Sequence, residues 1–235
     1  MLSLENVKKS YKKHTALNNI NCVFKPGIYG ILGPNGAGKS TLMGIITTGI
    51  TDYEGKVFYN EKDIKKLGNS YRKNIAYVPQ QQKLYEELTG IQFLAYFAAL
   101  KGLSNKEAKI SINNALDVVN LTDCANKRIS SYSGGMKQRL LIAQALLTDF
   151  DILLLDEPTV GLDPEERNNL KEYLRKIAGS KTILLASHIV SDVESLATDI
   201  VLLKRGNIVY FDGINNAINE YGSIEALYKK LNKND

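Results

Sequence analysis

The sequence has no tryptophan, only two cysteines and only two histidines among its 235 residues. Cys22 and Cys124 show neither pairing nor metal-ligand spacing, and with His14 and His188 they cannot assemble the usual zinc signatures. A disulfide framework and a structural zinc site are therefore excluded. We expect both thiols to be reduced, as in the cytoplasm.

Long apolar runs are also missing. No stretch reaches the roughly 20 apolar residues that span a bilayer; the most apolar segments are 152–155, 201–203 and the interrupted run 91–100. The first residues alternate apolar and polar side chains, without a basic head and an apolar block, so they predict a strand rather than a signal peptide. We therefore expect a chain that does not itself cross a membrane.

The composition is that of a globular protein, with 44% hydrophobic and 23% charged residues. Its length suits one sizeable α/β domain, alone or with a small subdomain. The net charge of +5 fits an anionic partner such as a nucleotide, an acidic lipid or a nucleic acid, and it fits a solvated lysine-rich surface equally well. The lysines are scattered and accompany no recognisable nucleic-acid module, so no nucleic-acid partner is expected.

Apolar patterning alternates between strands and helices. Only helices are predicted between about 89 and 147, one of them beginning with a capping box of Ser104 and Glu107. Such alternation indicates a parallel sheet covered by helices. Strands are predicted at 2–7, 20–24, 28–32, 56–59, 74–78, 152–155, 181–186, 200–203 and 208–211.

A glycine-rich segment follows the third predicted strand, and residues 33–40 read Gly-Pro-Asn-Gly-Ala-Gly-Lys-Ser, a P-loop pattern. Glycines let the backbone turn with positive φ and bring N–H groups close to phosphate oxygens, and the next helix adds a positive dipole. Lys39 is placed to reach the β- and γ-phosphates, and Ser40 to offer its hydroxyl to Mg²⁺. The predicted nucleotide-binding residues here are Gly33, Asn35, Gly36, Gly38, Lys39, Ser40 and Thr41.

Two carboxylates stand where the apolar strand 152–155 ends, at Asp156 and Glu157. A strand end beside the P-loop would place Asp156 to hold Mg²⁺, directly or through water, and Glu157 to polarise the attacking water. An apolar strand that ends in Asp-Glu often means only a solvated loop. Because this one occurs with a P-loop and precedes Pro158-Thr159, we predict the functional role.

Residues 132–139 read Tyr-Ser-Gly-Gly-Met-Lys-Gln-Arg, and with this segment the chain resembles the nucleotide-binding domain of ABC transporters over nearly its whole length. The resemblance implies a P-loop NTPase (RecA-like) core with a mostly parallel sheet, an N-terminal antiparallel β region and an α-helical subdomain. The core would comprise 1–88 and 149–235, and the helical subdomain about 89–148. The further matching elements are Tyr11, Gln80 in Ala-Tyr-Val-Pro-Gln, Gly161-Leu162-Asp163 and Ser187-His188.

The signature residues Ser133, Gly134 and Gly135 precede an amphipathic helix, so they offer a second anion site or simply an ordinary capped helix start. The resemblance implies that they bind the γ-phosphate held by another subunit's P-loop. A homodimer or pseudo-dimer that sandwiches ATP is therefore expected. Asp163 is a plausible N-cap for a helix with Pro164 at its first position, and by resemblance it also reaches the partner.

The resemblance gives further roles to single side chains. His188 would contact the γ-phosphate and help position the water, although a lone histidine is more often a packed core residue. Gln80 would sense Mg²⁺ and water near the permease, or it merely ends a strand. Tyr11 would stack on adenine, or it is a simple aromatic at a strand end. With Glu157 and Lys39, His188 and Gln80 complete the predicted catalytic set.

The implied function is hydrolysis of ATP, with Mg²⁺, by a subunit that powers transport through a separate membrane permease at the cytoplasmic face of the membrane. The Tyr132 and Met136 signature resembles export-type bacterial ATPases, including those for antibiotics and antimicrobial peptides. A soluble ABC ATPase acting on nucleic acid or ribosomes is the alternative, but only about fifty residues separate Gln80 from Ser133. The segment 80–97 is the predicted permease surface, with Tyr85, Leu88, Phe93, Tyr96 and Phe97 as its large side chains.

Overall fold

The computed structural model describes residues 1–80 and 82–232, which form two β-sheets with helices around them. The strands are β1 (Leu2–Tyr11), β2 (His14–Phe24), β3 (Gly27–Leu32), β4 (Glu54–Tyr59), β5 (Lys62–Asp63), β6 (Ile75–Val78), β7 (Ile152–Asp156), β8 (Thr182–Ser187), β9 (Asp199–Lys204) and β10 (Asn207–Gly213). The helices are α1 (Lys39–Ile46), α2 (Ile64–Leu67), α3 (Asn69–Arg72), α4 (Gly90–Leu100), α5 (Asn105–Val118), α6 (Gly134–Ala145), α7 (Pro164–Ile177), α8 (Val190–Leu196), α9 (Ile214–Tyr221) and α10 (Ile224–Asn232).

The larger sheet has the strand order β10-β9-β3-β8-β7-β6 and is mostly parallel, with β10 antiparallel to β9. Every residue of β7 and β8 is buried, which accounts for the apolar runs 152–155 and 183–186 within them. Alternate side chains of β7 enter two different cores. Leu153 and Leu155 pack with α4, α5 and α6, whereas Ile152 and Leu154 pack with α1 and the smaller sheet.

The smaller sheet is antiparallel, with the strand order β2-β1-β4-β5, so the predicted N-terminal antiparallel region is confirmed. β1 and β2 form a hairpin around Lys12 and Lys13, and β2 begins at His14 rather than at the predicted Ile20. The pairing of β1 with β2 contains register shifts, and Asn19 has a positive φ of 54°. Bulges of this kind break the period-2 pattern on which the sequence prediction depended.

Helices α4 to α6 lie within the predicted helical segment. The capping box of Ser104 and Glu107 begins α5 as predicted, and Thr89 with Gln92 forms another at α4. Residues 62–72, for which the sequence predicted no element, form β5 and the short helices α2 and α3. The α4–α6 helices share one apolar core with the larger sheet, and the boundary of a separate subdomain at 89–148 stays a prediction.

The parallel order of β3, β7 and β8 brings their carboxyl ends to one edge of the larger sheet. Ligands of open α/β sheets bind at this edge. The P-loop, Asp156 and Ser187 follow or end these strands. Within residues 1–80 and 82–232, no helix combines the length and apolarity needed to span a bilayer.

Candidate nucleotide-binding site

The loop between β3 and α1 is shaped as a cradle for an anion. Gly38 has φ of 110°, and a Cβ there would lie 2.5 Å from the carbonyl oxygen of Ala16. A Cβ on Gly33 would lie 2.4 Å from the carbonyl oxygen of Leu203. A larger residue at either position would displace the loop from its neighbouring backbone. The loop leads into α1, whose N-terminal N–H groups and dipole attract negative charge.

Lys39 carries the positive charge of this cradle. Its side chain is buried, and its ammonium donates to the carbonyl oxygens of Gly33 at 2.5 Å and Pro34 at 3.4 Å. Burial lowers the pKa of Lys39, while the negative charges of Glu157 and Asp156 oppose that shift. The ammonium is therefore held inside the loop.

The two predicted carboxylates stand opposite, at the end of β7, and both are buried. Burial raises the pKa of Asp156, the charge of Glu157 adds to the rise, and Lys39 opposes it. Glu157 has a positive φ of 53°, and its N–H donates to the carbonyl oxygen of Ala186 at 2.9 Å. The turn at Glu157 is thus anchored to β8 in a conformation that non-glycine residues rarely adopt.

Glu157 is held by the residues that end β8. Nδ1 of His188 lies 2.8 Å from Oε1 of Glu157, and the hydroxyl of Ser187 donates to Oε2 at 3.3 Å. The N–H of Ile189 in turn donates to the Ser187 hydroxyl at 3.0 Å. His188 keeps 56% of its side chain exposed, so it is not a packed core histidine. The imidazole can therefore face both Glu157 and a bound ligand.

These groups meet at a cavity of about 570 Å³. His14, Ala16 and Tyr228 also line it, although the sequence did not predict them. Tyr228 reaches the cavity from α10. No sequence pattern near Tyr228 indicates this contact. The predicted residues that line the cavity are Tyr11, Asn35, Gly36, Gly38, Lys39, Ser40, Thr41, Gln80, Asp156, Glu157 and His188.

The predicted signature residues are placed elsewhere. Ser133 is the N-cap of α6, where its hydroxyl accepts from the N–H of Met136 at 3.2 Å. Gly134 and Gly135 form the first turn of that helix, and neither they nor Ser133 are among the described residues that line the cavity. Asp163 also lies outside the lining. It caps α7 by accepting from the N–H of Glu166 at 2.8 Å, as predicted for the residue before Pro164.

The two departures from the usual signature have a structural explanation. Tyr132 is buried in the core, and its hydroxyl donates to the carbonyl oxygen of Cys124 at 2.8 Å. Met136 packs against the same core. Both side chains therefore support the start of α6 from inside, and neither alters the backbone donors of Ser133, Gly134 and Gly135.

Comparisons with known proteins agree with these motifs. A profile described as ABC transporter matches residues 17–160. The linearmycin resistance ATP-binding protein LnrL of Bacillus subtilis is 36% identical over 211 residues, which cover 89% of this chain and 68% of that protein. The lantibiotic transport ATP-binding protein SrtF of Streptococcus pyogenes is 34% identical over 240 residues, covering 98% of this chain and 99% of that protein.

Solved structures share the fold. An ATP-binding subunit of an ABC transporter superposes with a TM-score of 0.88 at 28% identity, covering 99% of each chain. A dimeric ATP-binding cassette in a post-hydrolysis state, bound to ADP and Pi, superposes with a TM-score of 0.82 at 29% identity, covering 91% of this chain and 98% of that one. The chain belongs to the ABC transporter family. Within that family it is the ATP-binding subunit, an ATPase that powers transport.

Proposed function

We propose that two copies of this ATPase, or this chain and a related one, sandwich MgATP and drive export through a separate membrane protein. The main support for this proposal is that the chain has two elements suited to bind anions, and they lie in different places. One is the cavity around Lys39, and the other is the N-terminus of α6 at Ser133. A second subunit would bring its α6 to the nucleotide that the first holds, as the dimeric state of a structural relative suggests.

Within one subunit, Lys39 binds the β- and γ-phosphates, and Tyr11 stacks on the adenine base. Glu157 accepts a proton from the attacking water, and His188, 2.8 Å from that carboxylate, fixes its direction and contacts the γ-phosphate. The buried position of Glu157 shields the carboxylate from bulk water. Asn35, Gly36, Gly38 and Thr41 complete the contacts to the phosphates.

Mg²⁺ fits the oxygen donors at this site. Ser40, Asp156 and Gln80 all line the cavity, and they carry a hydroxyl, a carboxylate and an amide oxygen. Mg²⁺ prefers oxygen ligands and is commonly held by one or two carboxylates together with substrate phosphates. Burial and the charge of Glu157 raise the pKa of Asp156, and a bound cation would offset both effects. When bound, Mg²⁺ neutralises charge on the phosphates.

The proposed surface for the membrane subunit is an aromatic patch formed by Tyr85 and Tyr96. Their rings meet edge to face at 5.7 Å, and they remain 46% and 45% exposed. Phe93 beneath them is fully buried and Phe97 half-buried, so the five large side chains of this segment divide between core and surface. Leu88 is also half-buried. Gln81, part of the same predicted surface, lies outside the described residues.

Exposed aromatic rings packed on each other form the kind of patch that a partner covers. The patch lies in the segment that follows Gln80, which lines the nucleotide cavity. A helix of a membrane subunit that binds this patch would therefore contact the segment that leads to Gln80. Through Gln80 it would be coupled to the γ-phosphate. Such binding would hold the subunit at the cytoplasmic face of the membrane. The names of relatives that act in lantibiotic transport and linearmycin resistance support export, and they support an antimicrobial compound as the cargo.

Tyr85→Glu tests the membrane partner. We expect the variant to lose recruitment to membranes and transport while its basal ATPase activity stays within about twofold of the parent, because the change lies outside the nucleotide cavity. Ile110→Glu is the matched control, since Ile110 is an exposed apolar residue on α5 outside the patch. Co-purification of Tyr85→Glu with the membrane subunit at the yield of the control would place the docking surface elsewhere.

A further inference from the structure

Arg139 joins three parts of the chain through one guanidinium group. It lies on α6, and its side chain is only 14% exposed. Nη2 lies 2.6 Å from Oε1 of Glu166 on α7. Nη1 donates to the carbonyl oxygens of Val119 at 3.0 Å and Asn120 at 2.7 Å, at the end of α5. A fixed planar fork of donors is needed for this geometry, and lysine lacks it.

Glu166 connects the signature helix to the loop before α7. Its Oε2 accepts from the N–H of Asp163 at 3.3 Å, completing the capping box of α7. A Cβ on Gly135 would lie 2.9 Å from the same Oε2 and 2.8 Å from the carbonyl oxygen of Gly161. The first turn of α6 is therefore in close contact with the loop 161–163, and the carboxylate of Glu166 forms part of that contact.

The ion pair of Arg139 and Glu166 lies away from this subunit's own nucleotide cavity. Neither Arg139 nor Glu166 is among the described residues that line the cavity around Lys39. Both are largely buried, with side-chain exposures of 14% and 19%, so the guanidinium and the carboxylate are protected from solvent screening. The ion pair links the second turn of α6 to the first turn of α7.

We propose that Arg139 and Glu166 are positioning residues that hold the signature residues 133–135 and the loop 161–163 as one rigid body facing the partner subunit's nucleotide. This inference rests on the ATP sandwich proposed above. Both elements must reach the same bound nucleotide, and a loose connection between them would misplace one when the other docks. Small errors in the position of stabilising groups lower the rate of the chemical step far more than they weaken binding at the subunit's own P-loop.

Glu166→Gln is the first test, because glutamine can still complete the capping box but removes the charge that faces Arg139. We expect kcat to fall at least about tenfold, while the Kd of the isolated monomer for ATP changes less than about twofold. Arg139→Lys should show the same fall in kcat, because lysine keeps the positive charge but cannot make all three contacts of the guanidinium. Glu165→Gln is the matched control, because it makes the same charge change at an exposed position of the same helical turn.

A mixing experiment separates positioning from mere stability. Glu166→Gln protein mixed with Lys39→Ala protein forms one composite site with an intact P-loop and an intact signature, so activity should return. In parallel, Ser133→Ala protein is mixed with the same Lys39→Ala protein. Recovery with Ser133→Ala but not with Glu166→Gln overturns the positioning role and leaves the sandwich standing. Failure of both mixtures overturns the sandwich itself, and kcat of Glu166→Gln equal to the Glu165→Gln control overturns the positioning role directly.

Discussion

Asp192→Asn should destabilise the protein by about 2 kcal/mol, because Asp192 connects the two loops that carry Glu157 and His188. It lies in the first turn of α8, four positions after His188, and is 3% exposed. The hydroxyl of Thr159, two positions after Glu157, donates to its Oδ2 at 2.5 Å. Nζ of Lys171 on α7 lies 3.7 Å from its Oδ1.

The magnitude follows from these two contacts. A hydrogen bond to a charged acceptor contributes about 1.5–3 kcal/mol and one to a neutral acceptor about 0.5–1.5, so losing the charge weakens the Thr159 bond by about 1 kcal/mol. Breaking a fully buried ion pair costs about 3–5 kcal/mol. Lys171 can turn its ammonium toward water, which reduces that cost to about 1 kcal/mol. The sum corresponds to a drop of about 4–8 °C in Tm for a chain of this size.

Urea unfolding of Asp192→Asn, Lys171→Met and the double variant measures the coupling. The double variant should be more stable than the sum of the single effects predicts, by about 1 kcal/mol. Glu194→Gln, at an exposed position of the same helix, serves as the control and should change stability by less than about 0.5 kcal/mol. Additive effects, within about 0.3 kcal/mol, would refute the ion pair. A loss below about 0.5 kcal/mol for Asp192→Asn would refute the whole network.

Four further predictions concern the site and the thiols. Lys39→Ala should lose most ATP affinity or all turnover, which phosphate release and nucleotide titration will show. Glu157→Gln should bind MgATP but turn over roughly 10² to 10⁴ times more slowly and form an ATP-held dimer on size exclusion; normal turnover would make another residue the base. His188→Ala should be similarly impaired. Burial raises the pKa of Cys22 to about 12, so in the native protein a thiol reagent at pH 8 should label Cys124 at least about tenfold faster, compared through single Cys→Ser variants.

Local sequence patterns were sufficient for the elements whose conformation depends on near neighbours. The P-loop between β3 and α1, the capping box at Ser104, the N-cap at Asp163 and the carboxylates at the end of β7 all follow from short segments. In each, the residue types that the local geometry requires are adjacent in the sequence. The order of the motifs along the chain then indicated the family and its α/β fold.

Contacts between distant segments could not be predicted in this way. Tyr228 lines the nucleotide cavity only because α10 folds back toward His188, and nothing near Tyr228 in the sequence signals that cavity. Arg139 on α6 and Glu166 on α7 meet although they are far apart in the sequence. The early start of β2 was hidden by bulges, since a shifted register removes the alternation that identifies a strand.

The mixture of Lys39→Ala and Ser133→Ala proteins tests the central claim most directly. Each homodimer has two damaged sites and should be inactive. A mixed dimer has one site with the intact P-loop of the Ser133→Ala subunit and the intact signature of the Lys39→Ala subunit, so random mixing should restore about a quarter of the activity of the unmodified protein. No recovery in a sample shown to contain mixed dimers would contradict an ATP site shared between subunits.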